Sequence, residues 1–232
     1  MRMSAPLPFP LNAASTVSSG DIRWQPHDLL KLRRLRHDDS EPSWVRDAFA
    51  RVPFAVVRRA QAAAGFIAIG VRGDTRQQRY GAWADAGDVE AAATPEELLD
   101  VGPSGERRAF PAFVALNTLR SNAATLAAFR WGPTGSVGFE LATGFPAVTS
   151  SSDLDLLVRA PIRLTHETAA ALLSELQAYA GRGGIRIDAQ VETPAGGVAL
   201  AELAADKLRV MARHSEGPRL VADPWSTTYG SD

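Results

Sequence analysis

The sequence predicts an α+β protein of two domains, and three observations carry that prediction. Alternating or β-branched runs are separated by segments whose apolar residues recur at helical spacing. In the second half these segments follow the order strand, helix, strand, helix, which builds layers around a sheet. Between the halves, Val101-Gly-Pro-Ser-Gly-Glu106 is punctuated by glycine and proline and no apolar pattern crosses it. The boundary is therefore expected there, with a smaller N-terminal α+β domain over 21–105 and a larger domain over 106–232. A chain of 232 residues buries about 70% of the surface its unfolded form exposes, so no disulfide or metal staple is needed.

Residues 1–20 are rich in Pro, Ser, Ala and Asn without periodicity and read as a mobile leader. Structure is expected from Trp24 to Leu32. Trp44, Val45, Phe49 and Val52 give a short helix with Ser43 as N-cap. Phe54–Val57 and Phe66–Val71 read as strands. Thr94-Pro-Glu-Glu-Leu-Leu99 has a cap, a proline in the first turn and early acids, so it is a short helix. Phe113, Leu116, Leu119, Ala123, Leu126 and Phe129 predict a long helix from about 111 to 130. Trp131–Gly135 reads as a turn, and Val137–Ala142 as a short helix closed by Gly144. Asp153–Val158 alternates and is a strand. Thr165 caps a helix that runs to Ala180, with Glu167 and Glu175 near its solvated face. Ile185–Val191 alternates again, and Ala199–Arg213 reads as a final helix.

Composition narrows the function. The chain has 25 basic and 26 acidic residues, a near-neutral balance that argues against a nucleic-acid partner. It has no cysteine, which excludes a zinc ribbon, an iron–sulfur cluster and a thiol nucleophile. No run of 18 apolar residues occurs, so no membrane span is expected; the proline-broken start does not read as a signal peptide, and a cytoplasmic location is the expectation. Charge is uneven. Residues 1–130 hold 17 basic and 14 acidic residues, whereas 131–232 hold 8 and 12. Segment 51–80 alone holds six arginines against one acid, Asp74, though an arginine-rich composition produces such segments without function. His27, His37, His166 and His214 are scattered without metal-ligand spacing, and the five tryptophans read as core. Dinucleotide, P-loop and nucleophile-elbow motifs are missing.

The residues that carry chemistry are Gly135, Ser136, Asp153, Asp155 and Asp188. Positions i and i+2 of a strand share a face, so Asp153 and Asp155 project together above buried leucines. Neighbouring carboxylates repel unless a cation lies between them, and hard oxygens suit Mg²⁺ or Mn²⁺. Asp188, on the polar face of the next alternating strand, adds a third carboxylate, and three can hold two cations for in-line displacement at phosphorus. Asp-x-Asp alone also fits a solvated strand edge. The preceding Gly-Ser separates the two readings, because a glycine at a helix start lets phosphate approach free backbone N–H groups. Gly-Ser, then an Asp-x-Asp strand, then one more Asp strand resembles the nucleotidyltransferase superfamily typified by DNA polymerase β. Sixteen residues separate Ser136 from Asp153, longer than is common there.

A closer resemblance covers residues 24 to 225. Trp131-Gly-Pro-Thr-Gly-Ser-Val-Gly-Phe-Glu-Leu-Ala-Thr-Gly144, Ser151-Ser-Asp-Leu-Asp-Leu-Leu157, Asp188-Ala-Gln-Val-Glu-Thr-Pro-Ala-Gly-Gly197 and Gly217-Pro-Arg-Leu-Val-Ala-Asp-Pro-Trp225 are similar to the malonate decarboxylase holo-acyl-carrier-protein synthases, which are phosphoribosyl-dephospho-CoA transferases. His27-Asp-Leu-Leu30 and Ile69-Gly-Val-Arg-Gly-Asp-Thr-Arg-Gln-Gln-Arg79 extend the likeness upstream, with Lys31 standing where an aromatic residue is expected.

The resemblance implies a C-terminal polymerase-β-like nucleotidyltransferase domain, a mixed sheet with flanking helices. It implies transfer of the phosphoribosyl-dephospho-CoA group from 2'-(5''-triphosphoribosyl)-3'-dephospho-CoA to a serine of the apo acyl-carrier subunit of malonate decarboxylase, releasing diphosphate. Asp153, Asp155 and Asp188 are then the catalytic and metal-binding residues, for two Mg²⁺ or Mn²⁺ ions. Gly135, Ser136, Arg72, Arg76, Arg79 and Lys207 are the expected substrate-binding residues. Two alternatives stand beside this reading: a nucleotidyltransferase with another small-molecule or protein acceptor, and a silent protein that binds nucleotide or carrier without turnover.

Overall fold

A computed structural model describes residues 17–18, 23–75 and 77–226, and the chain splits into two units, Met1–Thr94 and Pro95–Asp232. The expected leader lies outside the described residues apart from the two-residue strand β1 (Val17–Ser18), which pairs with β4 (Ala62–Ala63). Among the described residues no helix is long and apolar enough to cross a membrane.

The N-terminal unit is built on a five-stranded antiparallel sheet covered on one face by a helix. Its elements are β2 (Leu29–Leu32), α1 (Trp44–Arg51), β3 (Phe54–Val57), β5 (Phe66–Arg72), β6 (Arg79–Asp85) and β7 (Val89–Ala93), in the sheet order β6-β5-β3-β2-β7. Alternation sends Ala55, Val57, Ile67, Ile69 and Val71 inward, where Val45 and the half-buried Trp44 and Phe49 of α1 meet them. Ser43 does not cap α1. Its own backbone is already helical, because a turn from Pro42 O to Val45 N (3.0 Å) starts the coil one residue early, and its side chain makes no cap bond.

The C-terminal unit holds α2 (Pro111–Asn122), β8 (Arg130–Pro133), α3 (Gly135–Thr143), β9 (Leu154–Arg159), α4 (His166–Gly183), β10 (Ile187–Thr193), β11 (Gly196–Ala199), α5 (Leu200–Leu203), β12 (Val210–His214) and β13 (Gly217–Val221). Its mixed sheet has the order β13-β12-β11-β10-β9-β8; β9 and β10 are parallel, joined by α4, and every other pair is antiparallel. The chain is thus α+β, with a second sheet that is mixed as expected.

Several boundaries differ from expectation. The units divide at Thr94/Pro95, ahead of the glycine-proline stretch. Residues 95–100 belong with the C-terminal sheet because Gly132 leaves no side chain in the way: a Cβ there would lie 1.8 Å from Pro95 O. Arg159, nine-tenths buried, also bonds Glu96 at 2.5 Å. The short helix expected at 94–99 is a single 3-10 turn, Glu97–Asp100. The helix expected to reach 130 stops at Asn122, because Glu175 takes the N–H groups of Thr125 (3.1 Å) and Leu126 (3.0 Å). Ala123 and Leu126 are buried as their spacing required, but through a turn and a 3-10 piece. Glu175 is accordingly a half-buried cap for that turn, not a residue of a solvated face.

Trp131–Pro133 is not a turn but the edge strand β8, where a proline is tolerated at the end. The final helix is cut to the single turn of α5, since Asp206 takes a left-handed backbone (φ 49°). The chain then returns as the β12–β13 hairpin.

Candidate active site

Register brings the acids together. Asp188 of β10 is the direct partner of Asp155 on the adjacent parallel strand, and Asp153 lies two residues before Asp155 on the same face. Parallel neighbours lie about 4.8 Å apart, so three carboxylates occupy one small patch. Leu154 and Leu156, on the opposite face, are 0% and 1% exposed and fix the strand in the core. All three acids are half-buried.

The start of α3 stands directly over this patch. Thr134 donates its N–H to Asp155 O at 2.8 Å, which ties the turn to β9. Gly135 follows with φ +60°, and a Cβ there would lie 2.0 Å from Asp155 Oδ2. Glycine is thus required twice, by backbone conformation and by contact with the carboxylate. Gly135→Ala is expected to cost about 1–2 kcal/mol for the left-handed backbone and to displace the Asp155 carboxylate. Activity should fall at least about 100-fold, on the scale of losing one preorganised polar group; melting temperature and turnover measured on the same preparation separate the two effects. Ser136 sits half-buried in the first turn of α3.

An internal lock sets how the chain enters β9. Glu140, on α3 and 4% exposed, accepts the N–H groups of Ala147 (2.7 Å) and Val148 (2.8 Å). Arg107 donates to both of its oxygens and to Val148 O (2.7 Å). Burial pushes the Glu140 carboxyl up, but Arg107 and the two amides outweigh it and hold the group below the usual carboxylate range. The next turn closes with Thr149 N–H on Ser152 Oγ (2.9 Å), immediately before Asp153.

Arg186 provides the positive charge that the acids require. Its guanidinium grips Asp188 with both ends, Nη2 to Oδ2 at 2.6 Å and Nε to Oδ1 at 3.1 Å. The pairing raises the Arg186 pKa, chiefly through the Asp188 hydrogen bond, with Asp153 and Asp155 adding to it. Among the described residues no three His, Asp or Glu side chains are arranged to hold a metal ion. The donor set suits a hard cation, and Gly135 lets the turn before α3 lie against the Asp155 carboxylate, but Asp188 is committed to Arg186.

The expected substrate-binding residues do not form one group. Gly135 and Ser136 are at the acids. Arg72 and Arg79 belong to the N-terminal unit, where they face each other as register partners at the end of the β5–β6 hairpin. That connection is a turn closed by Gly73 N–H on Gln78 O (2.8 Å). Arg76 lies outside the described residues. Lys207 is exposed and lines a different hollow, with Arg163, His166 and Trp225. Trp225 Nε1 bonds Ala160 O at 2.8 Å, just past the far end of β9, about 20 Å along the strand from the acids at 3.3 Å per residue. Lys207 is therefore not part of the acidic site. Arg186, Glu140 and Arg107 escaped sequence reasoning. Arg186 carries a legible signal, the i, i+2 spacing to Asp188; Glu140 carries another, a lone acid inside the apolar run Val137–Leu141.

Comparison with known proteins gives a consistent result. Residues 103–224 match the family Phosphoribosyl-dephospho-CoA transferase MdcG C-terminal domain, and residues 25–95 match the corresponding N-terminal domain. A Phosphoribosyl-dephospho-CoA transferase of Pseudomonas putida (strain W619) is 41% identical over 205 residues, covering 87% of this chain and 95% of the relative. One from Azotobacter vinelandii is 41% identical over 206 residues, covering 87% and 94%. One from Pseudomonas aeruginosa is 42% identical over 204 residues, covering 87% and 93%. No solved structure gives a significant match.

Proposed function

Because the chain belongs to the phosphoribosyl-dephospho-CoA transferase MdcG family, we propose that it transfers the phosphoribosyl-dephospho-CoA group from its triphosphate precursor to a serine of the apo acyl-carrier subunit of malonate decarboxylase. The serine oxygen attacks the α-phosphorus, the bond to the bridging oxygen breaks, and diphosphate leaves. The observation that carries this reading is the register pairing of Asp155 with Asp188, roofed by Gly135.

Mg²⁺ or Mn²⁺, as two ions, would supply charge neutralisation on the triphosphate and lower the pKa of the attacking hydroxyl. Asp153 and Asp155 are the residues that would hold such ions. Asp188 joins them only when Arg186 releases it, and otherwise orients the serine; a carboxylate of the group takes the serine proton as general base. Gly135 and the first N–H groups of α3 face the β- and γ-phosphates, with the Ser136 hydroxyl beside them. Little else is asked of the protein, since catalysis of this type rests on positioning and electrostatics. The polymerase-β-like character of the domain is supported by the order of Gly-Ser, Asp-x-Asp strand and third Asp strand in one mixed sheet.

Mass spectrometry of apo carrier protein incubated with precursor, Mg²⁺ and this protein tests the reading directly. The expected result is a mass gain of one phosphoribosyl-dephospho-CoA group with equimolar diphosphate, lost in excess chelator. Equal diphosphate release from ATP or other nucleoside triphosphates would favour a general nucleotidyltransferase instead. Full activity in chelator would overturn the metal assignment.

A further inference from the structure

The N-terminal unit carries a recessed cation with which, among the described residues, no acid is paired. Arg58 continues β3 by one residue, its N–H donating to Ala68 O at 2.8 Å. Strand alternation puts its side chain with Val56, on the face turned away from the core. From there it runs across β5 to β6: a Cβ on Gly70 would lie 3.4 Å from its Cδ, and one on Gly81 would lie 2.0 Å from its Nη1. Gly70 and Gly81 are register partners. Glycine weakens a strand interior, and its presence there marks a close approach by another group. Here two adjacent glycines form the floor on which the guanidinium rests.

The surroundings of Arg58 are cationic and aromatic. On the same face the next register pair in one direction is Arg72 with Arg79, and in the other Ala68 with Trp83. Among the described residues no carboxylate pairs with Arg58, and burial alone lowers its pKa. A half-buried charge left without a counter-charge is costly, so Arg58 is a cation that a bound anion would complete.

We propose that this face is an anion subsite for a phosphate-bearing nucleotide group, its phosphates taken by Arg58, Arg72 and Arg79 and its base resting against Trp83. Guanidinium forks match phosphate oxygens in pairs, and a base stacks on an indole without need of a specific edge contact. A recessed cation on a flat floor admits a small ligand more readily than a protein surface. The natural ligand follows from the proposed reaction, on which this identification rests: the dephospho-CoA part of the precursor carries both an adenine and a diphosphate.

Binding of dephospho-CoA to the full chain in excess chelator, followed by calorimetry, tests the subsite, since without divalent ions the acidic patch repels phosphate. Arg58→Gln is expected to weaken binding about 10-fold or more, and Gly81→Ala to do the same by driving the guanidinium off its floor. Inorganic diphosphate should bind more weakly than dephospho-CoA. Equal affinity of wild type and Arg58→Gln overturns the subsite. An Arg58→Gln chain that binds dephospho-CoA normally but loses the acidic carrier protein assigns the face to protein docking and overturns it too. Diphosphate release reads the transfer reaction separately, so a chain that transfers normally with Arg58→Gln refutes the subsite alone. A chain that binds dephospho-CoA through Arg58 yet attaches nothing to the carrier refutes the reaction alone.

Discussion

Asp155→Asn is expected to lower transfer to the carrier by about 1,000-fold or more while the protein keeps its fold. The magnitude follows from the position of this one side chain. It faces Asp188 across the parallel pair, lies beside Asp153 and touches the left-handed turn at Gly135. Losing a single preorganised electrostatic group in such a site costs about 100- to 1,000-fold, and in the proposed mechanism the same group would also hold a divalent cation. Asparagine keeps the shape, so packing against Gly135 survives. Stability should change by no more than about 0.5 kcal/mol, as for substitutions away from the core, because Arg186 already offsets the repulsion among the three acids. Asp153→Asn should behave alike. Diphosphate release and carrier mass give the activity, and thermal unfolding gives the control. Near-wild-type turnover in either variant would refute the assignment of these carboxylates.

Glu140→Ala should produce the largest loss of stability of any single change near the site, about 3–5 kcal/mol, the cost of breaking a buried pair by removing one partner. The substitution strands two amide donors, at Ala147 and Val148, and frees Arg107. At about 2–4 °C per kcal/mol for a protein of this size, the melting temperature should drop by about 10 °C. The same group makes stability pH-dependent in a definite direction. Its folded pKa lies below the ordinary glutamate value, so its contribution is complete above about pH 4.3. It is lost as pH falls through the lower folded value. The gap in unfolding free energy between wild type and Glu140→Gln should therefore be full at pH 7 and shrink below about pH 4. A gap that stays constant across that range would show that Glu140 is not the titrating lock.

The acidic centre was legible because strand alternation has period two. Asp153, Asp155 and Asp188 could be placed on one face from spacing alone, and the register confirms that placement. Gly135 was legible for a different reason, since a glycine before a short apolar helix marks a backbone that another residue cannot adopt. Arg186 was missed because alternation says which residues share a face, not which long side chain bends back onto its neighbour. Helix ends failed where tertiary partners decided them. The stop at Asn122 is set by a carboxylate on α4, Glu175, and nothing in the local sequence announces it. Strand β12 was read as the end of a helix over Ala199–Arg213 because alanine and leucine dominate its approach; the left-handed Asp206 that breaks the pattern is a conformation, not a composition. Lys207 was misplaced because sequence gives no distance across a sheet.

The parallel pairing of β9 with β10 also governs when the reactive centre comes into being. The hairpins β5–β6 and β12–β13 join neighbours in the chain and can close early. Asp155 and Asp188 meet only after the whole of α4 has folded back across the sheet, and such long-range parallel contacts are slow to form. A growing or partly folded chain therefore has no assembled acid cluster, and nothing with which to consume a costly precursor. When β10 docks, Arg186 arrives as the residue just before the strand that carries Asp188, so the last charges to be brought together come with their own neutralising partner.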